Sequence, residues 1–352
     1  MEKEIQELDG QKKKYVLAGL VAVILIAAVV IAVLLTGNDR RDAVLRSPTG
    51  ILYGSDGNLY LTDQGGNSIL RMDEGNVKLI AGYMLPADIY GDAIGSYGDG
   101  TWDKAFFNAP FDLEEWGGGL AVSDTGNNCI RLAASDGIVR TLAGTTVQGC
   151  QNGMAYEATF YEPKGIAAGP DGSLYIADSG NGVIRRLSED GQVETVVGDM
   201  DTPVGLSWDG DVLYITDAGT SQILKYENGE LSVVAGAAYT DEERSLLDGD
   251  AQNAVFSAPQ GILAQDGMIY VADTGFSAIR RIKDGQVDTI SIFEGTGSNL
   301  WPAGPTGMEM KAGNLLIADP YSGVIFEVKD PDETQADENY HEFQLNFYKK
   351  IY

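Results

Sequence analysis

Short apolar runs alternate with turn residues along most of this chain. The stretch from Pro163 to Gly198 shows the unit, in which the apolar runs GIAAG, LYIAD, VIRRL and VETVV are separated by Pro-Asp-Gly, Ser-Gly-Asn and Glu-Asp-Gly turns. Apolar runs of about four to eight residues between turn signals are typical of antiparallel β-strands. We therefore predict four short strands per unit, named A to D in chain order.

The unit occurs six times. Each copy begins with a proline and ends its second apolar run with an aspartate about 14 or 15 residues later: Pro48 with Asp63, Pro110 with Asp124, Pro163 with Asp178, Pro203 with Asp217, Pro259 with Asp273 and Pro305 with Asp319. Proline is tolerated at the first residue of a strand, so strand A is expected to begin there. Four-stranded repeats of about 40 to 60 residues predict a β-propeller, and six copies predict six blades.

Three of the copies carry a more specific pattern. The segments ADSGNGVIRRL, SDTGNNCIRL and ADTGFSAIRRI, preceded by NGMAYEATFYEP, GDGTWDKAFFNAP and DGDAQNAVFSAP, resemble the repeats of the NHL family. The resemblance covers about Pro48 to Val328 and implies an all-β, six-bladed propeller of the NHL type. Members of that family serve as protein-binding, RNA-binding and sensor modules, and one related branch is a metal-dependent lyase, so the resemblance specifies a fold rather than a function.

The first 47 residues differ from the repeats. Residues 1–14 carry four acids and four lysines, and residues 15–36 form an unbroken apolar run. About 20 apolar residues span a hydrocarbon core of about 30 Å as a helix, and the run is too long for a signal-peptide core and lacks a clear cleavage site. We predict a cytoplasmic tail, an uncleaved transmembrane anchor over 15–36, a linker over 37–47 and the propeller over 48–352. A cleaved signal and a buried core helix are the alternatives.

The orientation of the anchor is argued from size. Four lysines precede the apolar run and Arg40, Arg41 and Arg46 follow it, so the positive charges decide little. A tail of 14 residues is too short to fold. We therefore expect a single-pass protein of the cell membrane with its propeller on the extracytoplasmic side.

The net charge restricts the partners. The formal charge of −28 belongs to the part after residue 14, because the charges of the tail cancel. An acidic surface repels phosphate backbones, so no nucleic acid is expected as a partner. Solubility is the simpler explanation of the charge, and attraction of cations or basic partners is the alternative.

The chain has two cysteines, Cys129 and Cys150. Cys129 opens strand C of the second unit and Cys150 lies just beyond strand D, so a hairpin could bring them together. An extracytoplasmic compartment permits a disulfide, and closing a loop of about 20 residues would contribute roughly 3 kcal/mol. We predict this bridge, with two unpaired thiols as the alternative.

The longest loops are expected on one face. The D-to-A connections and the B-to-C turns lie at the same strand ends, which gathers residues 82–108, 144–162 and 236–258. Binding residues concentrate on loops held by a rigid scaffold, and aromatic rings there could stack on a sugar or anchor a partner side chain. Packing within the loop is the alternative. The candidate ligand-binding residues all lie in the first insertion: Tyr90, Tyr97, Asp99, Trp102 and Asp103. The recurrent Phe106 or Phe107, Phe160 and Phe256 are instead expected to pack inside.

The six strand-end aspartates are expected to accept N–H groups of the turn that follows each of them. Six carboxylates around an axis could also bind a divalent cation such as calcium. Two acidic pairs in the insertions, Asp99 with Asp103 and Asp248 with Asp250, lack the spacing of a calcium loop. We predict a structural role, no metal ligand and no cofactor.

Catalysis is limited by the single histidine, His341. A zinc site of several imidazoles and a Ser-His-Asp triad within the blades cannot be built, and the lyase relatives depend on histidine ligands that this chain lacks. No catalytic residue is predicted. We expect a non-enzymatic binding module for a protein or glycan at the cell envelope. The alternatives are a metal-dependent lactonase-like hydrolase that uses Glu, Asn and Asp ligands, and a structural scaffold in an envelope complex.

The sixth unit lacks an evident strand D. The tail segment HEFQLNFY alternates apolar and polar residues, as a half-buried strand does. Residues 42–47 compete for the same position and could close the ring instead.

Overall fold

The computed structural model describes residues 43, 45–73, 76–82, 94–237, 245–290, 303–329 and 331. Within these ranges the chain forms six antiparallel sheets, one for each sequence unit, so the prediction of an all-β, six-bladed propeller is confirmed. No helix in this part of the chain is long and apolar enough to cross a membrane. The predicted span over residues 15–36 lies outside the described residues, and so does the candidate residue Tyr90.

The sheets contain 26 strands in the described part of the chain. Blade 1 has β1 (Pro48–Tyr53), β2 (Leu59–Asp63), β3 (Ser68–Asp73) and β4 (Asn76–Ala81), and blade 2 has β5 (Gly100–Thr101), β6 (Pro110–Trp116), β7 (Gly119–Asp124), β8 (Cys129–Ala134) and β9 (Ile138–Ala143). Blade 3 has β10 (Gly153–Met154), β11 (Pro163–Ala168), β12 (Leu174–Asp178), β13 (Val183–Leu187) and β14 (Gln192–Val197), and blade 4 has β15 (Pro203–Asp209), β16 (Val212–Asp217), β17 (Gln222–Glu227) and β18 (Glu230–Ala235). Blade 5 has β19 (Gly249–Asp250), β20 (Ile262–Gln265), β21 (Met268–Asp273), β22 (Ala278–Lys283) and β23 (Gln286–Ile290), and blade 6 has β24 (Met308–Lys311), β25 (Asn314–Asp319) and β26 (Val324–Lys329).

Strand A begins at its proline in the first four blades and three residues after it in blades 5 and 6. In blade 5 the segment before strand A still contacts strand B, because the Gln260 N–H donates to the Ala272 carbonyl at 3.0 Å. In blades 2, 3 and 5, a single 3₁₀ turn connects strands B and C: Thr125–Asn127, Ser179–Asn181 and Thr274–Phe276.

Three blades carry an additional two-residue strand. β5, β10 and β19 each pair with the outermost strand of their own blade. The chain reaches this edge before it enters strand A, so the insertion that precedes each of these blades is fastened along the blade. These insertions supply most of the candidate functional residues.

The core lies between the blades. Six clusters of buried apolar residues occupy the six interfaces between adjacent blades in the described chain. Phe107, Phe160 and Phe256 are each exposed by 1 % or less. Their predicted packing role is therefore confirmed, and it stabilises the interfaces through a large buried aromatic area.

The innermost strands approach one another at glycines. A Cβ added at Gly261 would lie 1.7 Å from the Thr306 carbonyl oxygen of blade 6, and one at Gly307 would lie 2.3 Å from the Thr49 carbonyl oxygen of blade 1. The Gly307 N–H donates to the same Thr49 oxygen at 2.8 Å, and the Thr306 hydroxyl donates to it at 3.0 Å. Direct contact between blades 6 and 1 thus closes the ring.

The described residues 43 and 45–47 do not supply a fourth strand to blade 6, contrary to the alternative that assigned that position to residues 42–47. The Ala43 N–H donates to the Val77 carbonyl of β4 at 3.1 Å, so Ala43 lies beside the outer strand of blade 1. This position corresponds to that of β5, β10 and β19 beside the outer strands of blades 2, 3 and 5. Blade 6 has three strands among the described residues. The tail segment from Tyr340 onward lies outside them.

Candidate functional site

The aspartate that ends strand B is buried in every blade, with an exposed fraction of 1 % or less. Its carboxylate accepts the N–H of a residue that lies just before strand A of the same blade. The donors are Ser47 to Asp63, Asn108 to Asp124, Tyr161 to Asp178, Thr202 to Asp217, Ser257 to Asp273 and Ala303 to Asp319, at 2.6 to 2.8 Å. Each aspartate therefore joins the end of strand B to the start of strand A. The prediction of a structural role was right, but the expected backbone N–H donors of the following turn are found in only some blades. In blade 4, for example, the Gly219 N–H donates to the Asp217 carboxylate at 3.2 Å.

Three blades add a fully buried arginine seven residues after the aspartate. Arg131, Arg185 and Arg280 have no exposed side-chain area and form ion pairs with Asp124, Asp178 and Asp273 at 2.7, 2.9 and 2.8 Å. Each guanidinium lies over a buried phenylalanine ring, with its carbon 5.2, 5.1 and 4.7 Å from the centroids of Phe107, Phe160 and Phe256. Each also donates to two backbone carbonyls of the preceding insertion. The arginines therefore hold the insertions against the blades.

Burial raises the pKa of Asp124, Asp178 and Asp273, to about 6 for Asp273, and the paired arginines and N–H donors oppose the shift. Desolvation is the largest contribution, since it disfavours the charged carboxylate. These carboxylates are committed to internal partners in the structure.

Side chains of the insertions complete the same arrangement. Asp99 lies 2.7 Å from Arg131 and accepts from the N–H and hydroxyl of Thr141. At the equivalent positions, Asn152 bonds to Arg185 and Thr195, and Asp248 bonds to Arg280 and Thr289, as the contacts of both side chains show. The repetition in three blades assigns Asp99 a structural duty; a ligand contact by Asp99 remains a prediction.

The candidate residues of the first insertion do not form one site. Tyr97 lies with Asp99: its ring is 4.9 Å from the Arg131 guanidinium carbon, and its hydroxyl is 2.8 Å from the Thr141 hydroxyl. Trp102 lies at the other strand ends, where it lines a cavity between blades 1 and 2. Asp103 is exposed beside Trp102.

The face formed by the D-to-A connections and B-to-C turns exposes several large apolar side chains. We call this set the loop face: Ile94, Tyr97, Val147, Leu247 and Tyr321, with exposed fractions of 50, 45, 64, 50 and 78 %. Ile94 and Val147 occupy equivalent positions. Ile94 lies four residues before Gly98, whose carbonyl accepts from Arg131. Val147 lies four residues before Gln151, whose carbonyl accepts from Arg185. Their exposure is therefore repeated in two blades.

A cavity of about 250 Å³ follows the propeller axis and is lined by strand A of each blade. Asp112, Glu114 and Glu309 line it, and burial raises their pKa values to about 6, 7 and 7. The Asp112 carboxylate accepts the N–H of Ile166 in strand A of the next blade at 3.0 Å. It therefore provides a partner for a backbone N–H on the inner edge of that blade. The described residues contain no group of three or more His, Cys, Asp or Glu side chains arranged to hold a metal ion.

The expected disulfide is not formed in this structure, where Cys129 and Cys150 are both free thiols. Cys129 is fully buried at the start of β8, where it pairs with Asp124. Cys150 is exposed and lies 3.9 Å from Arg185 Nη1 of blade 3. The insertion after β9 therefore brings Cys150 to the buried arginine of the next blade.

Two groups of residues in these sites were not recognised from the sequence. The buried arginines could have been found, because Arg131, Arg185 and Arg280 stand seven residues after their aspartates in the three best-fitting copies. The residues around Trp102 come from two blades and no motif joins them. Their only signal is that Trp102 replaces the alanine of the other two insertions, Ala155 and Ala251.

Comparisons with known proteins agree with this architecture. The model of the teneurin NHL domain matches residues 129–315. The human NHL repeat-containing protein 2 is 28 % identical over 269 residues, which cover 60 % of this chain and 37 % of the relative. This chain thus matches less than two fifths of the length of that relative.

Solved structures share the fold at low sequence identity. A gluconolactonase from Xanthomonas campestris superposes with a TM-score of 0.55 at 17 % identity, over 81 % of this chain and 86 % of that chain. An auxiliary nutrient binding protein from Bacteroides thetaiotaomicron superposes with a TM-score of 0.59 at 14 % identity, over 81 and 69 % of the two chains. Both likenesses concern the propeller fold alone.

Proposed function

Since this chain belongs to the NHL-repeat family of β-propellers, we propose that it is a non-enzymatic binding module that uses the loop face to dock a partner protein. The observation that carries the proposal is the exposure of large apolar side chains there, including the equivalent Ile94 and Val147. Exposed apolar side chains on loops that a rigid scaffold holds are candidate contacts for a partner.

The polar side chains of the insertions support binding rather than chemistry. Asp99, Asn152 and Asp248 each hold a buried arginine and a threonine, so their oxygens are occupied by structural contacts. We therefore assign the docking contacts to the exposed apolar side chains of the loop face. Buried apolar and aromatic anchors supply most of the affinity in protein interfaces.

The net charge and the N-terminus extend the proposal. A chain with a formal charge of −28 attracts partners with a basic rim around their apolar contacts. Residues 15–36 would anchor the propeller in the cell membrane as a single span, with the propeller on the extracytoplasmic side. Protease added to intact cells should then remove the propeller; its survival would contradict this topology.

A metal-dependent hydrolase on the axis is the second candidate. The axial cavity with Asp112, Glu114 and Glu309 supports it, because carboxylates in such a cavity could serve as ligands or as acids. The support for a hydrolase is weaker than the support for docking, because the carboxylates of Asp112, Glu114 and Glu309 already accept backbone N–H groups of strand A residues. A scaffold role within an envelope complex would use the same loop face.

Site-specific photo-crosslinking tests the docking proposal. A photoreactive residue is placed at Val147 or at Ile94, and in the control at Ile138, which is 37 % exposed next to the C-to-D turn of blade 2. We expect one discrete adduct in intact cells from Val147 and Ile94, displaced by excess unlabelled protein, and none from Ile138. Adducts of equal yield from all three positions, or from Ile138 alone, would overturn the proposal.

A further inference from the structure

A cavity of about 550 Å³ lies between blades 1 and 2. It opens at the A-to-B and C-to-D turns, the strand ends opposite the loop face, and we call it the inter-blade pocket. Its size falls within the range of about 300 to 1,000 Å³ typical of small-molecule sites. Its walls are aromatic and polar: Tyr60, Arg71, Trp102, Trp116, Asp56 and Glu115.

Trp102 is not required by the fold. Its N–H donates to the Gly137 carbonyl and its carbonyl accepts from Gly82, both at 2.9 Å. Ala155 and Ala251 make the same two backbone bonds in blades 3 and 5, at 2.8 and 2.9 Å. An alanine is therefore sufficient at this position, and the indole of Trp102 is an addition that is specific to the inter-blade pocket.

The indole N–H of Trp102 is buried, and none of the described residues accepts a hydrogen bond from it. The neighbouring Trp116 differs, because its indole N–H donates to the Gly172 carbonyl at 2.8 Å. Buried donors in native proteins are nearly always paired, and an unpaired one costs free energy. Trp102 lines the pocket, so its indole N–H is a donor at the pocket wall that lacks a partner among the described residues.

The other polar groups of the pocket are already oriented. The Asp56 carboxylate accepts from the Asn58 amide and the Tyr60 hydroxyl, both at 2.7 Å. The Glu115 carboxylate accepts from the N–H and the hydroxyl of Ser55 at 3.1 Å. These bonds fix the rim without using all of the carboxylate lone pairs. Rigid acceptors beside a rigid donor are suited to a ligand that carries both donors and acceptors.

Charge and shape narrow the class of ligand. Among the described residues that line the pocket, the two carboxylates of Asp56 and Glu115 face one cation, Arg71, which disfavours an anionic ligand. A pure hydrocarbon would leave the Trp102 N–H unpaired. We propose that the inter-blade pocket binds a neutral saccharide, whose C–H face packs on Tyr60 and Trp116 while a ring or hydroxyl oxygen accepts from Trp102 and its hydroxyls donate to Asp56 and Glu115.

The test uses the full chain in a detergent without a sugar headgroup. Glucose, galactose, mannose and N-acetylglucosamine are titrated and followed by saturation-transfer difference NMR, with N-acetyl-alanine amide as the peptide probe. At least one sugar should give a saturable signal. Trp102→Ala should weaken its binding about tenfold or more, as removal of an interface anchor does. Trp102→Phe, which keeps a ring but removes the N–H, should weaken it severalfold.

Two controls make the result specific. Trp208→Phe changes an indole that lines the axial cavity and should leave sugar binding unchanged. If Trp102→Ala fails to fold, Glu115→Gln provides the second variant, with a severalfold loss expected. Absence of a saturable sugar signal, unchanged binding in the Trp102 variants, or binding of the peptide probe alone would overturn the proposal. Val147→Ser on the loop face should keep sugar binding, so this proposal and the docking proposal can fail independently.

Discussion

Replacement of Arg185 by methionine tests whether the buried arginines hold the blades together. Arg185 and Asp178 both have fully buried side chains and lie 2.9 Å apart. The substitution leaves the buried Asp178 carboxylate with the Tyr161 N–H and the Asn181 amide as its donors among the described residues. It also removes the donors to the Thr159 and Gln151 carbonyls. Removal of one partner from a buried ion pair costs about 3 to 5 kcal/mol. We expect a loss of that size in the free energy of unfolding.

The chain supplies a matched control in the next residue. Arg186 is also paired with carboxylates, at 3.8 Å from Asp171 and 3.4 Å from Glu194, but its side chain is 36 % exposed. Exposed pairs contribute about 0 to 1 kcal/mol. Arg186→Met should therefore be close to the wild type. Urea unfolding of both variants, followed by circular dichroism, measures the difference as a shift of the midpoint at constant slope.

The pH dependence of the stability loss in Arg185→Met tests whether the buried Asp178 carboxylate causes it. Burial already raises the pKa of Asp178 above its ordinary value, and loss of the arginine raises it further. A carboxyl whose folded pKa is raised contributes stability below its unfolded pKa of about 4, and this contribution is lost as the pH rises through the folded pKa. The deficit of Arg185→Met should therefore be largest at pH 8 and smaller at pH 5, and adding Asp178→Asn should recover about 1 to 2 kcal/mol. A deficit below about 1 kcal/mol, or one that is independent of pH, would refute the reasoning.

Three further predictions concern the axis and the thiols. Glu114→Gln should be more stable than the wild type at pH 8 by roughly 3 kcal/mol and equal to it near pH 4, because burial raises the pKa of Glu114 to about 7; parallel pH profiles of unfolding would contradict this. Gly261→Ala should lower the unfolding midpoint strongly, since its Cβ would meet the Thr306 carbonyl oxygen at 1.7 Å; an unchanged midpoint would show that the inner strands can separate. Iodoacetamide should modify only Cys150 in the native protein and also Cys129 in urea, because Cys129 is buried and burial raises its pKa; no modification even in urea would indicate a disulfide.

Most of the fold could be predicted from the repeat pattern. A proline, two apolar runs and an aspartate at nearly constant spacing recur six times, so the blade count and strand order could be read without knowledge of contacts. The aspartates were assigned a structural role because each copy has one. Their main donors lie 15 to 17 residues earlier in the chain, and local turn rules do not reach that far.

The sites were harder to predict because they depend on contacts between blades. The aromatic residues of the first insertion suggested one binding site, but Tyr97 lies over Arg131 while Trp102 lies in the inter-blade pocket. The predicted disulfide rested on proximity along a hairpin, whereas in the structure both thiols are free and Cys150 lies against Arg185 of the next blade. Asp112 gives a further example, since it stands where five other blades have a glycine after the proline, and its role is visible only from the Ile166 N–H that it accepts.

The central claim is that the loop face carries the binding function. The direct measurement is the dissociation constant of the partner identified by crosslinking, compared between the wild type, Val147→Ser and Ile138→Ser. Val147 is 64 % exposed on the loop face, and Ile138 is 37 % exposed at the opposite strand ends. We predict binding about tenfold or more weaker for Val147→Ser, equivalent to about 1.4 kcal/mol, and within about twofold of the wild type for Ile138→Ser. Equal affinities for the wild type and Val147→Ser, or a larger loss in Ile138→Ser, would contradict the claim.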